Sequence, residues 1–295
     1  MTLRQLAFIL VWTAFSPANI ALLADEAAQA EAKASATDAG IEQDAERKLR
    51  AEFLKSDLDR YTVVAADRPE RPLSVTEKPV LRYTNPVRTS FTDGAVYLWL
   101  DGQRPLAAAV LSIRDNGNVV RELVSFTERP LICKRDGRSA WTPKSGNLVD
   151  QPLGDAPPPD GNNKRRLRQM REAAGRFRVI KKSSPDLDLR LLGQPVYRYS
   201  AAAAGVIDGA VFAFVEATDP DFLLVLEAHR EDPASPAEWR YTLGRMLSGP
   251  LEVELDGKPL WAGEGYWTSP RSISDPYVEI PFGTYPPPAE KVQSP

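Results

Sequence analysis

The chain has 295 residues, 43% of them apolar, and a formal net charge of −3. That length suits one large domain or two small ones, and the near-neutral balance gives no general bias towards nucleic acid. One Cys and one His exclude an intrachain disulfide, a four-ligand Cys/His zinc site within one chain and any catalytic centre needing a histidine other than His229.

Residues 1–24 read as an export signal. Arg4 supplies the positive start, Leu6 to Phe15 is an apolar run, and small residues follow at Ser16, Ala18, Ala21 and Ala24. The run is shorter than the roughly 20 apolar residues of a membrane span. Residues 25–75 read as a tether, Ala- and Glu-rich at first. Within it, Glu42 to Lys55 forms a short amphipathic helix with Leu49, Phe53 and Leu54 on one stripe, and a proline-punctuated linker follows.

The stretch from 76 to 285 holds an internal duplication. PVLRYTNPVRTSFTDGAVYLWL, from Pro79, matches PVYRYSAAAAGVIDGAVFAFV, from Pro195. Further on, RPLICKRDGRSAWTP matches GPLEVELDGKPLWAG, so copy one covers 79–143 and copy two 195–263. Two matching blocks in one order, at nearly one spacing, predict a mainly β (α+β) fold. It is an internally duplicated antiparallel unit forming one pseudo-twofold domain, with a crossover helix.

Ala95 to Leu100 is apolar on both alternating faces and reads as a strand covered on both sides. Leu106 to Ile113 and Val119 to Phe126 read as its neighbours. Asp136-Gly137 and Asp256-Gly257 mark hairpin turns. Asp93-Gly94 and Asp208-Gly209 also read as turns ahead of strands. A loop and a basic helix occupy 149–182, where Leu167, Met170, Ala174 and Phe177 make one apolar face. In copy two, Gly209 to Val215, Phe222 to His229 and Trp239 to Leu247 repeat the strand pattern. Residues 286–295 read as a loose tail.

Several residues are candidates for chemistry. Arg82 and Arg198 sit at matching places, where each either satisfies a carboxylate or, if both face one cleft, helps bind an anionic ligand. Arg168 and Arg171 lie on the basic helix, where nine Lys or Arg and one Glu fall between Lys164 and Lys182. Such a face suits an anionic envelope polymer, a membrane surface or an acidic protein. Tyr266 and Trp267, in a glycine-rich loop, have the character of a sugar-stacking platform or of ordinary core residues. Glu216 and Glu227 are the acid/base candidates, since hydrolysis by paired carboxylates needs two poised groups. No metal or cofactor is implied by any spacing, and Cys133 and His229 read as structural.

The segments PVLRYTNPVR, DGAVYLWLDGQRP, RLRQMREAAGRF, QPVYRYS and DGAVFAFVEATDPDFLLVLEAHR resemble those of a family of uncharacterised secreted proteins from planctomycete-type bacteria. The resemblance covers about residues 76 to 265. It implies an exported protein and assigns no activity or site residue. Together these features point to a non-enzymatic, periplasmic or secreted binding protein of the envelope, with no nucleic-acid partner. The alternative is a carboxylate-dependent hydrolase acting on an envelope polysaccharide.

Overall fold

The computed structural model describes residues 44–84, 92–114, 116–232, 234–266 and 272–285. The expected export signal, the first part of the tether, Trp267 and the tail lie outside the described residues. Helix α1 covers residues 44–58. Strands β1 (Tyr61–Ala65), β2 (Ser74–Val75), β3 (Leu81–Thr84), β4 (Thr92–Asp101), β5 (Arg104–Arg114), β6 (Asn118–Ser125), β7 (Leu131–Arg135) and β8 (Arg138–Trp141) follow it. Next come β9 (Gln151–Pro152), helix α2 (Asn163–Ala174), β10 (Phe177–Lys181), β11 (Leu187–Asp188), β12 (Arg190–Leu191) and β13 (Tyr197–Ala201). After a 3-10 turn at Ala202–Ala204, the chain makes β14 (Val206–Glu216), β15 (Asp219–His229), β16 (Glu238–Arg245), β17 (Leu251–Leu255), β18 (Lys258–Gly263) and β19 (Tyr277–Thr284).

The duplication is visible in the strand order. One six-stranded sheet runs β19-β6-β5-β4-β2, with β3 also on β4. The other runs β9-β16-β15-β14-β12, with β13 also on β14. Two smaller sheets, β1-β7-β8 and β11-β10-β17-β18, repeat one another with β11 added. The segment after each copy crosses to the other copy: β9 pairs with β16, and β19 pairs with β6. This exchange stitches the two copies into one fold.

Each copy starts with its helix, which corrects the expected boundary at 76. Residues 50–75 are not tether. Leu54, Leu58, Val63 and Ala65 are at most 2% exposed, and β1 pairs with β7 along its whole length. The sequence hid this because YTVVA is short and prolines follow it closely.

Three cores explain why the central strands are apolar on both faces. The two large sheets pack on each other through Val96, Leu98, Val110 and Val124 from one copy and Val211, Ala213, Leu223 and Val225 from the other. On the outer face of the first sheet, Tyr97, Trp99 and Leu111 meet Leu54, Leu58 and Val63. On the outer face of the second, Phe212, Phe214 and Leu224 meet Met170, Ala174 and Val179. From Ala95 to Trp99, alternation puts the even-numbered residues of β4 in one core and the odd-numbered ones in the next, so both faces of this stretch are apolar.

The Asp136-Gly137 and Asp256-Gly257 turns are as expected. Both residues of each take the left-handed region, with φ of 50° and 78°, and of 52° and 73°, which glycine and aspartate tolerate best. Each turn is clamped by an arginine between helix and strand. Arg60 and Arg176 each accept a backbone bond from the turn aspartate at 3.0 Å and return a guanidinium bond to its carboxylate at 2.5 and 2.6 Å.

Asp93-Gly94 and Asp208-Gly209 are not turns. They lie inside β4 and β14, and the aspartates are 1% and 4% exposed. Each glycine leaves room for a neighbouring ring: a Cβ on Gly94 would come within 2.2 Å of Tyr83, and one on Gly209 within 2.5 Å of Tyr199. The basic helix is also shorter than expected. Asn162 caps its start by accepting from Lys164 N at 2.8 Å. It ends at Ala174, with Gly175 next, and Phe177 belongs to β10. The β-branched pair Val179-Ile180 favours the strand.

Candidate functional site

Arg82 and Arg198 are each spent on a carboxylate of their own copy. Arg82 reaches Asp93 at 3.1 Å across β3–β4. Arg198 grips Asp208 with two bonds of 2.9 and 2.6 Å across β13–β14, and Arg166 from α2 adds a third at 2.8 Å. The bond to Asp208 holds the Arg198 guanidinium more firmly protonated than usual. These arginines anchor each copy's β3-type strand to its centre. They do not converge on one cleft, because each is tied to its own copy's aspartate.

Glu216 and Glu227 do not form a pair. Glu227 lies opposite Gly209, seven residues along β14 from Glu216. At about 3.3 Å per residue this separates them by roughly 23 Å, against about 5–9.5 Å for paired glycosidase carboxylates. Glu216 meets Lys181 at 2.5 Å. Glu227, 4% exposed, takes a bidentate bond from Arg104 at 2.8 and 2.7 Å and the Tyr199 hydroxyl at 2.6 Å. Burial and this carboxylate push the Tyr199 phenol well above its ordinary range. Arg104 belongs to copy one, so the triad crosses the interface between the sheets. At the matching place in copy one, Tyr83 bonds to Asp219 instead. The two seam sites have diverged in charge, which sequence matching alone did not reveal.

The basic segment is largely neutralised at home. Arg165, Arg166, Arg168, Arg176, Arg178, Lys181 and Lys182 all have a carboxylate within 4.0 Å. Arg171 donates to Gln194. Arg168 is 73% exposed beside Glu172. The residues that cancel the charge come from distant parts of the chain, chiefly Asp188, Asp208, Asp221, Glu252 and Asp256, so a charge run read along the sequence overstates the field.

Tyr266 is a packing residue. Its ring stacks on Tyr277 at 5.7 Å, its hydroxyl donates to the Tyr277 carbonyl at 2.6 Å, and Arg245 lies over its face at 4.7 Å. Arg245 caps three carbonyls, Leu247, Ser248 and Gly249, and burial lowers its pKa from the usual arginine value. His229 meets the Ala204 carbonyl at 3.1 Å. Cys133 is fully buried, and burial pushes its thiol up to about 12. Cys133 is therefore not poised as a nucleophile. No group of acidic, His or Cys side chains suited to a metal occurs among the described residues.

A cavity of about 330 Å³ at the seam of the copies is the better candidate. Arg68 and Arg71 come from the β1–β2 loop, Asp101 to Gln103 from the β4–β5 turn, and Arg129 from the approach to β7. Ala201 to Ala204 of copy two close it. Arg129 is held by Asp67 at 2.7 Å and Asp101 at 3.4 Å. Arg71 is 64% exposed and 3.8 Å from Asp101. Arg68 is exposed and makes no ion pair among the described residues. Three guanidiniums against Asp67 and Asp101 leave an excess of positive charge. Such forks match carboxylate, sulfate or phosphate groups. Sequence reading missed this site because Arg68 and Arg71 lie in the segment taken for a tether. The signal available was the density of RPERP at Arg68 to Pro72.

Comparison with family models, with curated proteins and with solved structures finds no match.

Proposed function

We propose that this chain is a non-enzymatic, exported binding module for an anionic envelope polymer, with the arginine-lined cavity at the copy seam as its receptor. The observation that carries the reading is the set Arg68, Arg71 and Arg129 around one opening of about 330 Å³. The apolar run at Leu6 to Phe15 and the resemblance to secreted proteins support the address. The partnered state of Glu216 and Glu227 supports binding over hydrolysis.

The test uses the full chain and two probes, polygalacturonate and dextran sulfate, in a binding titration at several salt concentrations. Arg68→Glu with Arg71→Glu is expected to weaken binding at least tenfold and to flatten the salt dependence. Arg168→Glu with Arg171→Glu is expected to change it less than threefold. Equal loss from both pairs, or loss from the helix pair alone, overturns the assignment. Retention on anionic lipid vesicles but on neither polymer would make the partner a membrane surface and reject the polymer.

A further inference from the structure

β18 is the edge strand of its sheet, and a second opening, about 360 Å³ in volume, lies along it and β17, lined by Glu252 to Glu254 and Pro259 to Ala262. The duplication shows what belongs on such an edge. In copy one the matching strand is β8, and Trp141 corresponds to Trp261: both follow a β-bulge and pair with the same position, Cys133 or Val253. The edge of β8 is covered by the chain's own segment Ser272 to Asp275. Thr142 N donates to the Ile273 carbonyl at 2.6 Å, and Trp141 Nε1 donates to the Asp275 carbonyl at 2.9 Å. Trp141 is fully buried as a result.

Among the described residues, no segment covers the matching edge of copy two. No strand lies outside β18 among the described residues, Trp261 is only partly buried, and its Nε1–H has no partner among the described residues. The reason is linker length. From Trp261 to Ile280 the chain takes nineteen residues, but from Trp141 to Gln151, which reaches the matching point on the other sheet, only ten. The shorter connection runs directly to β9, with Gly146 bonded to Thr127 on its way, and has no slack to cross the Trp261 edge.

We infer that the β18 edge from Leu260 to Gly263 receives an extended peptide segment of a partner protein, held as Ser272 to Asp275 is held on β8. Recognition runs through main-chain carbonyls, one on the Ala262 N–H and one on Trp261 Nε1, which is strand addition at a sheet edge. Ile273 of the covering segment points outward, 49% exposed, so the main chain is what the edge reads. A second copy pairing edge to edge is disfavoured by Lys258 and Pro259, which open β18 and guard that end as charges and prolines do on natural edges. This inference is independent of the arginine cavity.

The experiment pans a displayed library of random heptapeptides on the intact protein. Ala262→Pro protein, which loses the outward N–H at a position where an edge strand tolerates proline, serves for counter-selection. Enriched peptides are expected to shift amide resonances of residues 252–254 and 260–263, to bind at least tenfold more weakly to Ala262→Pro and about threefold more weakly to Trp261→Phe. An unchanged thermal midpoint for Trp261→Phe provides the folding control. No enrichment over the counter-selected protein overturns the inference. So does perturbation of these resonances by chitin or cellulose oligosaccharides but by no peptide, which would make Trp261 a sugar platform.

Discussion

Replacing Arg104 by Met removes one half of a charge pair that crosses from copy one to copy two. Among the described residues, Glu227 then keeps only the Tyr199 hydroxyl. Breaking a buried ion pair from one side costs about 3–5 kcal/mol, because the remaining charge stays in the interior. Glu227 retains 6% of its side-chain exposure and Arg104 26%. Solvent therefore already relieves part of the guanidinium but almost none of the carboxylate, and the expected loss is about 2–4 kcal/mol. Tyr199→Phe removes a single hydrogen bond to a charged group and should cost about 1.5–3 kcal/mol. Replacing both charges, Arg104→Met with Glu227→Leu, leaves no stranded ion and only the Tyr199 hydroxyl unpaired, so it should cost about 1–3 kcal/mol, less than the summed singles. The assay is equilibrium urea unfolding followed by circular dichroism, with midpoints compared at constant slope. A loss under about 0.5 kcal/mol for Arg104→Met, or a double variant as unstable as the summed singles, would refute the reasoning.

Leu54→Ala and Leu58→Ala should each destabilise the fold by about 2–5 kcal/mol, because both side chains are buried in copy one's outer core; a true tether would show no change in the urea midpoint. Gly94→Ala and Gly209→Ala should each cost about 1–3 kcal/mol, since the added methyl meets a tyrosine ring that is itself packed, and the partner changes Tyr83→Leu and Tyr199→Leu should relieve that added cost in a double-mutant cycle. Asp136 and Asp256 have carboxyl pKa values below the ordinary range, held there by bonds from Arg60 and Arg176. Their stabilisation is present above the unfolded value of about 4 and is lost as pH falls through the lower folded values. The stability of the Asp136→Asn, Asp256→Asn variant should therefore fall less steeply than the parent's below about pH 4 in urea titrations at stepped pH.

Much of the fold was legible from local pattern. The runs at Ala95 to Leu100 and Ala210 to Val215 are apolar at every position, and only a sheet covered on both faces has use for that. The Asp136-Gly137 and Asp256-Gly257 pairs matched turn chemistry, and their recurrence at one spacing exposed the duplication. The same chemistry misled at Asp93-Gly94 and Asp208-Gly209. There the glycine answers to a tyrosine on the preceding strand, and the aspartate to an arginine about ten residues back. The site was less legible than the fold. Arg68 and Arg71 gain meaning only beside Arg129 and Ala201 to Ala204, which chain separation concealed. The nine cations from Lys164 to Lys182 lost most of their meaning once their carboxylates came to them across the fold.

By itself the amino-acid order determined that two copies of one antiparallel β unit exist, because hydrophobic alternation and turn residues act over a few neighbours and repeat faithfully. Tertiary structure alone decided where each copy begins, how β9 and β19 exchange partners, and which of two matching tryptophans is covered. Those outcomes depend on linker reach and on which surfaces meet, and neither quantity is local to any stretch of sequence.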